Sequence, residues 1–161
     1  MRVSPAIPPC RCESLADAAA TQALGARLAA LVGPGPAILL LLGELGAGKT
    51  CLVQGLAAAL GIDEPITSPT FALAQHYSAP VGPGGGGSLV HLDLYRLEQP
   101  AAADELFAQE EETARELGAV LAVEWPQRLS VLPAEAWRVE LELPQGGDPE
   151  AGRLARVWAP H

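Results

Sequence analysis

Positive charge is scarce in this chain of 161 residues. Ten lysines and arginines stand against nineteen aspartates and glutamates, so the formal net charge is −9 and the isoelectric point is near 4.7. A surface of this sign repels nucleic-acid phosphates and anionic lipids. The composition therefore argues against a protein that binds nucleic acid or a membrane surface by itself, and a function on RNA would require a partner.

Cysteine and long apolar runs are also rare. Cys10, Cys12 and Cys51 lack the spacing of a disulfide scaffold, and Cys10 and Cys12 are too close in sequence for an ordinary bridge. We therefore expect reduced thiols in a cytoplasmic protein. The first nine residues contain three prolines, and the longest aliphatic stretch, at 38–42, is too short to cross a bilayer. We expect neither a signal peptide nor a membrane-spanning segment.

The apolar pattern predicts helices that alternate with strands. Helices are predicted from a capping box at Ser14 to the stop at Gly33-Pro34, from the end of the glycine-rich turn through Leu52, Leu56 and Leu60 to Gly61, and from Ala103 to Gly118. Strands are predicted at 37–42, 71–77, 89–95, 119–123, 137–143 and 153–158, with a hairpin loop at 81–88. This order predicts an N-terminal tail at 1–13 and a single α/β domain at 14–161. Its sheet would be mostly parallel or mixed, flanked by helices, with a C-terminal β-hairpin.

A phosphate-binding loop (P-loop) follows the first predicted strand. Residues 43–50 read GELGAGKT, which matches G-x-x-x-x-G-K-[ST] between a strand and a helix and predicts a P-loop NTPase-like fold. In such a loop the backbone N–H groups form an anion nest, the lysine reaches the terminal phosphates, and the threonine hydroxyl ligates Mg²⁺. Lys49 is also the only lysine in the chain. The predicted nucleotide contacts are Leu45, Gly46, Ala47, Gly48, Lys49, Thr50 and Cys51.

Two acidic residues follow apolar strands and are candidates for the metal ion. Asp93 lies on the polar face of the segment HLDLY, and Glu124 follows the apolar run at 119–123. Because a P-loop requires an acidic residue on a neighbouring strand, both are predicted to face the same Mg²⁺. Which of the two is the direct ligand stays open, and for Asp93 the alternative is an ordinary surface carboxylate.

Four linked motifs resemble the TsaE (YjeE) family of small bacterial P-loop ATPases. They are GELGAGKT at 43–50, TSPTF at 67–71, HLDLYRL at 91–97 and VEWPQ at 123–127. The resemblance implies ATP hydrolysis in support of the threonylcarbamoyl modification of adenosine 37, in tRNAs that read codons beginning with adenine. It also implies that the chain acts with the TsaD and TsaB proteins and reaches tRNA only through their complex.

The resemblance further implies roles for individual residues. Lys49, Asp93 and Glu124 would be catalytic, with Thr50, Asp93 and Glu124 close to Mg²⁺. The remaining predicted contacts with ATP are Ser68 and Thr70 on a switch-like loop, Trp125 beside the nucleotide, Arg153 in a closing basic motif, and Thr21 at the adenine. For Ser68 and Thr70 the alternative is turn chemistry around Pro69, and for Trp125 it is a core aromatic.

Two other functional classes remain open from the residues alone. A small-molecule P-loop kinase uses the same loop, although the scattered Arg96, Arg115 and Arg128 do not form the cationic lid that a kinase ordinarily needs. A nucleotide-binding scaffold without turnover is the third class.

Overall fold

The computed structural model describes residues 11–32, 35–69, 73–80, 86–144 and 152–160. Three helices are present in this part of the chain: α1 (Ala18–Val32), α2 (Lys49–Ala59) and α3 (Pro100–Leu117). The strands are β1 (Arg11–Leu15), β2 (Ala37–Leu42), β3 (Ala74–Ser78), β4 (Ser88–Asp93), β5 (Val120–Glu124), β6 (Ala136–Glu142) and β7 (Arg153–Trp158). A single turn of 3-10 helix spans Pro126–Arg128. Within the described ranges, no helix combines the length and apolar character needed to cross a lipid bilayer.

All seven strands form one mixed sheet in the order β1-β7-β6-β2-β5-β4-β3. The four central strands, β6, β2, β5 and β4, are parallel to one another. The outer pairs β3/β4, β6/β7 and β1/β7 are antiparallel. The predicted fold class is therefore confirmed, including the C-terminal hairpin of β6 and β7.

Alternation along the central strands divides the core between the two faces of the sheet. In β2, Leu39 and Leu41 pack in one cluster with Leu28 of α1 and residues of α2, while Leu40 packs in a second cluster with Ala103 of α3. All these side chains are almost completely buried. A strand covered on both faces reads as a continuous apolar run, which is why 37–42 is recognisable from the sequence.

The N-terminal boundary differs from the prediction. Residues 11–13 are not part of a tail, because β1 begins at Arg11 and pairs along its full length with β7. Ser14 lies in this strand and does not cap α1; Asp17 does, since its Oδ1 accepts a hydrogen bond from the backbone N–H of Ala20 at 2.9 Å. Residues 11–15 form a strand because they pair with the outer edge of β7, which is distant in the sequence. A capping pattern in the local sequence cannot predict that pairing.

Other predicted boundaries are close to the observed ones. Helix α3 begins three residues before the predicted start, with Pro100 in its first turn, and its cap Gly118 has the left-handed conformation. Strand β3 begins at Ala74. Several predictions fall wholly or partly outside the described residues, among them the stop at 33–34, the first residues of the strand at 71–77, most of the loop at 81–88, and Cys10.

Helices α1 and α2 approach closely because glycine is present on both. A Cβ atom on Gly55 would overlap the carbonyl oxygen of Gln22, and one on Gly25 would overlap the carbonyl oxygen of Leu52. Backbone therefore packs against backbone at this crossing, and α2 is held in place directly behind the P-loop.

We predict that Gly55→Ala destabilises the protein although alanine favours helix. In a solvent-exposed helix this change would stabilise by about 1 kcal/mol, but the overlap with Gln22 should reverse the sign and cost about 2 kcal/mol. Urea unfolding measures the difference. Ala58→Gly, at an exposed position of the same helix, is the control for backbone propensity and should cost about 1 kcal/mol. A more stable Gly55→Ala protein would contradict the close crossing.

Candidate functional site

The parallel strands β2, β5 and β4 end at one edge of the sheet, and the predicted site residues lie there. In the strand register Glu124 is opposite Leu41 of β2 on one side and opposite Asp93 of β4 on the other. The P-loop leaves β2 at the same edge and leads into α2, which begins at Lys49. This is the edge at which ligands bind in open α/β sheets.

The P-loop has the backbone of an anion-binding nest. Gly46 and Gly48 have φ values of 81° and 108°, which side-chain-bearing residues rarely adopt. A Cβ atom on Gly46 would meet nothing within 4 Å, so the space over the loop is open. Helix α2 adds the partial positive charge of its N-terminus. The cradle fits the phosphates of a nucleotide.

Lys49 is held by two groups that a phosphate could replace. Its Nζ donates a hydrogen bond to the carbonyl oxygen of Gly43 at 2.6 Å and lies 4.2 Å from the centre of the Trp125 ring. Burial lowers the pKa of Lys49, and the negative charges of Glu124 and Asp93 act in the opposite direction. The ammonium group thus lies in a desolvated position between the nest and the two carboxylates, where a further anion would be attracted strongly.

Glu124 is a buried carboxylate with two hydrogen-bond donors on one oxygen. Its Oε2 accepts from the hydroxyl of Thr50 at 3.3 Å and lies 2.6 Å from Nε2 of His91. Only 5% of its side chain is exposed. The contact with Thr50 joins the P-loop helix to the end of β5, so the threonine predicted to ligate Mg²⁺ lies next to a predicted metal carboxylate.

Asp93 is the second carboxylate of the site. Its Oδ1 accepts the backbone N–H of Tyr95 at 2.9 Å, and its Oδ2 accepts the hydroxyl of Ser68 at 3.3 Å. Burial raises the pKa of Asp93; the N–H of Tyr95 lowers it, and the charge of Glu124 raises it further. With Thr50 and Glu124 it offers the hard oxygen donors that Mg²⁺ takes beside phosphate and water. The donor set therefore fits a magnesium ion.

Most predicted site residues surround one cavity of about 320 Å³. The lining includes Leu45, Gly46, Gly48, Lys49, Thr50, Cys51, Ser68, Asp93, Glu124 and Trp125. The P-loop, both carboxylates and the segment around Ser68 are thus brought together by the fold. Thr70 lies outside the described residues.

Three predicted contacts do not line this cavity. Ala47 is buried within the loop, where its N–H bonds the carbonyl of Glu44 at 3.0 Å. Arg153 of β7 donates to the carbonyl oxygen of Ala47 at 3.1 Å, and its guanidinium fills the space beside Gly48 that a Cβ atom would need. It therefore supports the loop from the C-terminal hairpin. Thr21 is fully buried in α1, and its hydroxyl donates to the carbonyl oxygen of Asp17 at 3.1 Å.

Sequence reasoning missed three residues that contact predicted site side chains at this edge of the sheet. The ring of Tyr95 lies 4.8 Å from that of Trp125, and the guanidinium of Arg128 lies within 6 Å of both rings. The third residue, His91, is completely buried against Glu124. His91 had a signal in the sequence, because it lies two residues before Asp93 in an alternating strand and so shares its face. The other contacts depend on the turn at Trp125, whose φ of 59° no pattern predicts.

Comparison with known proteins gives a consistent set of relatives. The sequence profile of the family described as threonylcarbamoyl adenosine biosynthesis protein TsaE matches residues 15–150. Among similar proteins, one from Nostoc sp. is 39% identical over 85% of this chain and 81% of its own length. One from Synechocystis sp. is 45% identical over 75% of this chain and 73% of its own. Both are named tRNA threonylcarbamoyladenosine biosynthesis protein TsaE.

A solved structure is similar as well. The crystal structure of YdiB from Bacillus subtilis superimposes with a TM-score of 0.64 at 26% sequence identity. The superposition covers 92% of this chain and 85% of that protein. The mixed sheet with its flanking helices is therefore shared over almost the whole chain.

We predict that Asp93→Asn stabilises the protein at neutral pH. The folded-state pKa of Asp93 is raised above its ordinary value of 3.8. The protein therefore loses stability as the pH rises through this pKa and Asp93 ionises. The asparagine lacks this cost and can still accept the N–H of Tyr95, so the free energy of unfolding at pH 7 should be higher than that of the wild type.

Urea unfolding at pH 7 and at pH 4 tests this expectation. The gain should shrink at the lower pH, where Asp93 is more protonated in both states. Asp63→Asn, at an exposed position in the loop after α2, is the matched control and should change stability little. A less stable Asp93→Asn protein at pH 7 would contradict the burial cost assigned to this carboxylate.

Proposed function

The chain belongs to the TsaE family, and from this membership we propose that it is a P-loop ATPase that serves the threonylcarbamoyl modification of tRNA. The family profile and the relatives support a role in forming threonylcarbamoyladenosine. One observation carries the ATPase proposal: Lys49, Thr50, Asp93 and Glu124 line a single cavity over a glycine nest. Phosphate groups, magnesium ligands and a carboxylate for catalysis would therefore meet in one place.

The proposed reaction is the hydrolysis of ATP to ADP and phosphate. The nest and Lys49 would hold the phosphate chain, while Thr50, Asp93 and Glu124 would hold Mg²⁺ directly or through its waters. When bound, Mg²⁺ neutralises charge that develops on the phosphate oxygens. The oxygen of a water molecule bonds to the γ-phosphorus as the bond from that phosphorus to the bridging oxygen of ADP breaks, and the proton of the water passes to phosphate or solvent.

Glu124 is the best-placed carboxylate to act in this reaction. It lies between Thr50 and His91 at the end of β5, and its burial makes its charge more effective than a surface charge would be. In this role it would accept a hydrogen bond from the attacking water or from a water of the metal ion. Interactions of this kind grow in the transition state and contribute less to ground-state binding.

The proposed partners are the TsaD and TsaB proteins, and tRNA would be reached only through their complex in the cytoplasm. A net charge of −9 makes binding of tRNA by the chain alone unfavourable.

Ser68, whose hydroxyl bonds Asp93, connects the loop that follows α2 to the phosphate site. A change at the γ-phosphate position can thus alter this exposed loop, and docking of partners on it would be coupled to the nucleotide.

We predict that Lys49→Ala lowers the affinity for ATP at least tenfold, because a charged hydrogen bond to phosphate is worth about 1.5 to 3 kcal/mol. Calorimetry with ATP and Mg²⁺ measures the affinity, and thermal unfolding checks that the fold is retained. Arg138→Ala is the matched control. Like Lys49, Arg138 is a cation that lies over an aromatic ring, but that ring is Trp158 on the C-terminal hairpin. This control should bind ATP as the wild type does. Unchanged affinity in Lys49→Ala would reject the P-loop assignment.

We also predict that nucleotide state sets the affinity for the partner complex. Purified TsaD and TsaB are titrated with this chain in the presence of ADP, of a non-hydrolysable ATP analogue, and of neither. The affinity with the ATP analogue should differ from the other two, since binding free energies of nucleotide and partner are reciprocal. Identical affinities in all three titrations would refute nucleotide-gated docking. Tight binding of tRNA to the isolated chain would refute the charge argument.

A further inference from the structure

His91 is a completely buried histidine that none of the functions above has used. Its Nε2 lies 2.6 Å from Oε2 of Glu124, and none of its side chain is exposed to solvent. Burying an imidazole costs free energy unless the ring nitrogens find partners. An apolar residue would fill this position in the core at a lower cost in free energy. What histidine can do here and an apolar residue cannot is bond to Glu124.

The strand register explains how the two side chains meet. His91 and Asp93 are on the same face of β4, and Glu124 and Ala122 are on the same face of β5. His91 is paired with Ala122, two residues before the pair of Asp93 and Glu124. Because Ala122 is small and completely buried, the imidazole has space to extend along the sheet to the carboxylate.

The hydrogen bond runs from His91 to Glu124. Nδ1 of His91 is buried, with no hydrogen-bond partner in the described part of the protein. A hydrogen on Nδ1 alone would leave a buried donor unpaired and would place two acceptors 2.6 Å apart. We therefore assign a hydrogen to Nε2, which donates it to Oε2 of the ionised Glu124 carboxylate.

We propose that His91 is a positioning residue that fixes the carboxylate of Glu124 for ATP hydrolysis, an inference that rests on the proposed function. Without this bond, the one remaining donor described on Oε2 is Thr50 at 3.3 Å, and its hydroxyl is the group assigned to Mg²⁺. The carboxylate would then be free to rotate away from the cavity. Groups that orient a metal-site or catalytic carboxylate in this way commonly contribute about 10- to 100-fold to activity.

A matched pair of amide variants tests the proposal. The amide nitrogen of glutamine reaches about as far as Nε2, so His91→Gln can keep the donor; His91→Asn is one methylene shorter and cannot. We expect His91→Asn to lower the single-turnover rate of ATP hydrolysis about 10- to 100-fold, with nucleotide affinity measured without Mg²⁺ changed less than about threefold. His91→Gln should recover most of the rate. If His91→Asn does not fold, His91→Leu, which suits an apolar core, replaces it.

The controls separate positioning from a merely structural role. His76→Leu removes an exposed histidine that pairs with Glu110 on the edge strand β3, and it should leave the rate unchanged. Rates are measured with the TsaD and TsaB proteins present, and each variant is checked by thermal unfolding. A wild-type rate in His91→Asn, or equal loss of rate in both amide variants, would overturn the inference alone. A wild-type chain that hydrolyses no ATP would overturn the proposed function and this inference with it.

Discussion

The burial of the Glu124 carboxylate is the constraint on which the rest of the site depends. A carboxylate that is 5% exposed is costly unless donors and positive charge surround it. Here Thr50 and His91 contact one of its oxygens, and the ammonium of Lys49 lies close enough to attract it. These residues come from α2 and β4, and Glu124 itself ends β5, so one charge connects the P-loop to the centre of the sheet.

Burial is the main source of unfavourable free energy within the site. It raises the pKa of Asp93, which the charge of Glu124 raises further, and it lowers the pKa of Lys49. Trp125, directly after Glu124, adopts a left-handed backbone conformation and places its ring against Lys49. Such features reduce stability and are retained where binding or catalysis uses them. The phosphate chain of a nucleotide would supply the counter-charge that Lys49 otherwise takes from a carbonyl oxygen and a ring.

The elements that could be predicted from the sequence are those with local causes. The run at 37–42 is apolar because β2 is covered on both faces, and the P-loop follows it at once, so strand, loop and helix were recognisable together. Asp93 and Glu124 were recognisable because each ends an apolar strand. By contrast, the pairing of Arg11 to Leu15 with β7 and the support of the loop by Arg153 join segments more than 100 residues apart. Local propensity does not encode such contacts.

The most direct test of the account is the single-turnover rate of ATP hydrolysis by Glu124→Gln in the presence of the partner complex. Glutamine keeps the size of the side chain and one acceptor oxygen, and it replaces the other oxygen and the negative charge with a neutral NH₂ group. We expect the rate to fall by at least about 100-fold, as for other removed electrostatic groups, with ATP affinity changed by no more than a few fold. A rate equal to that of the wild type, or equal losses of affinity and rate, would contradict a catalytic role for this buried carboxylate.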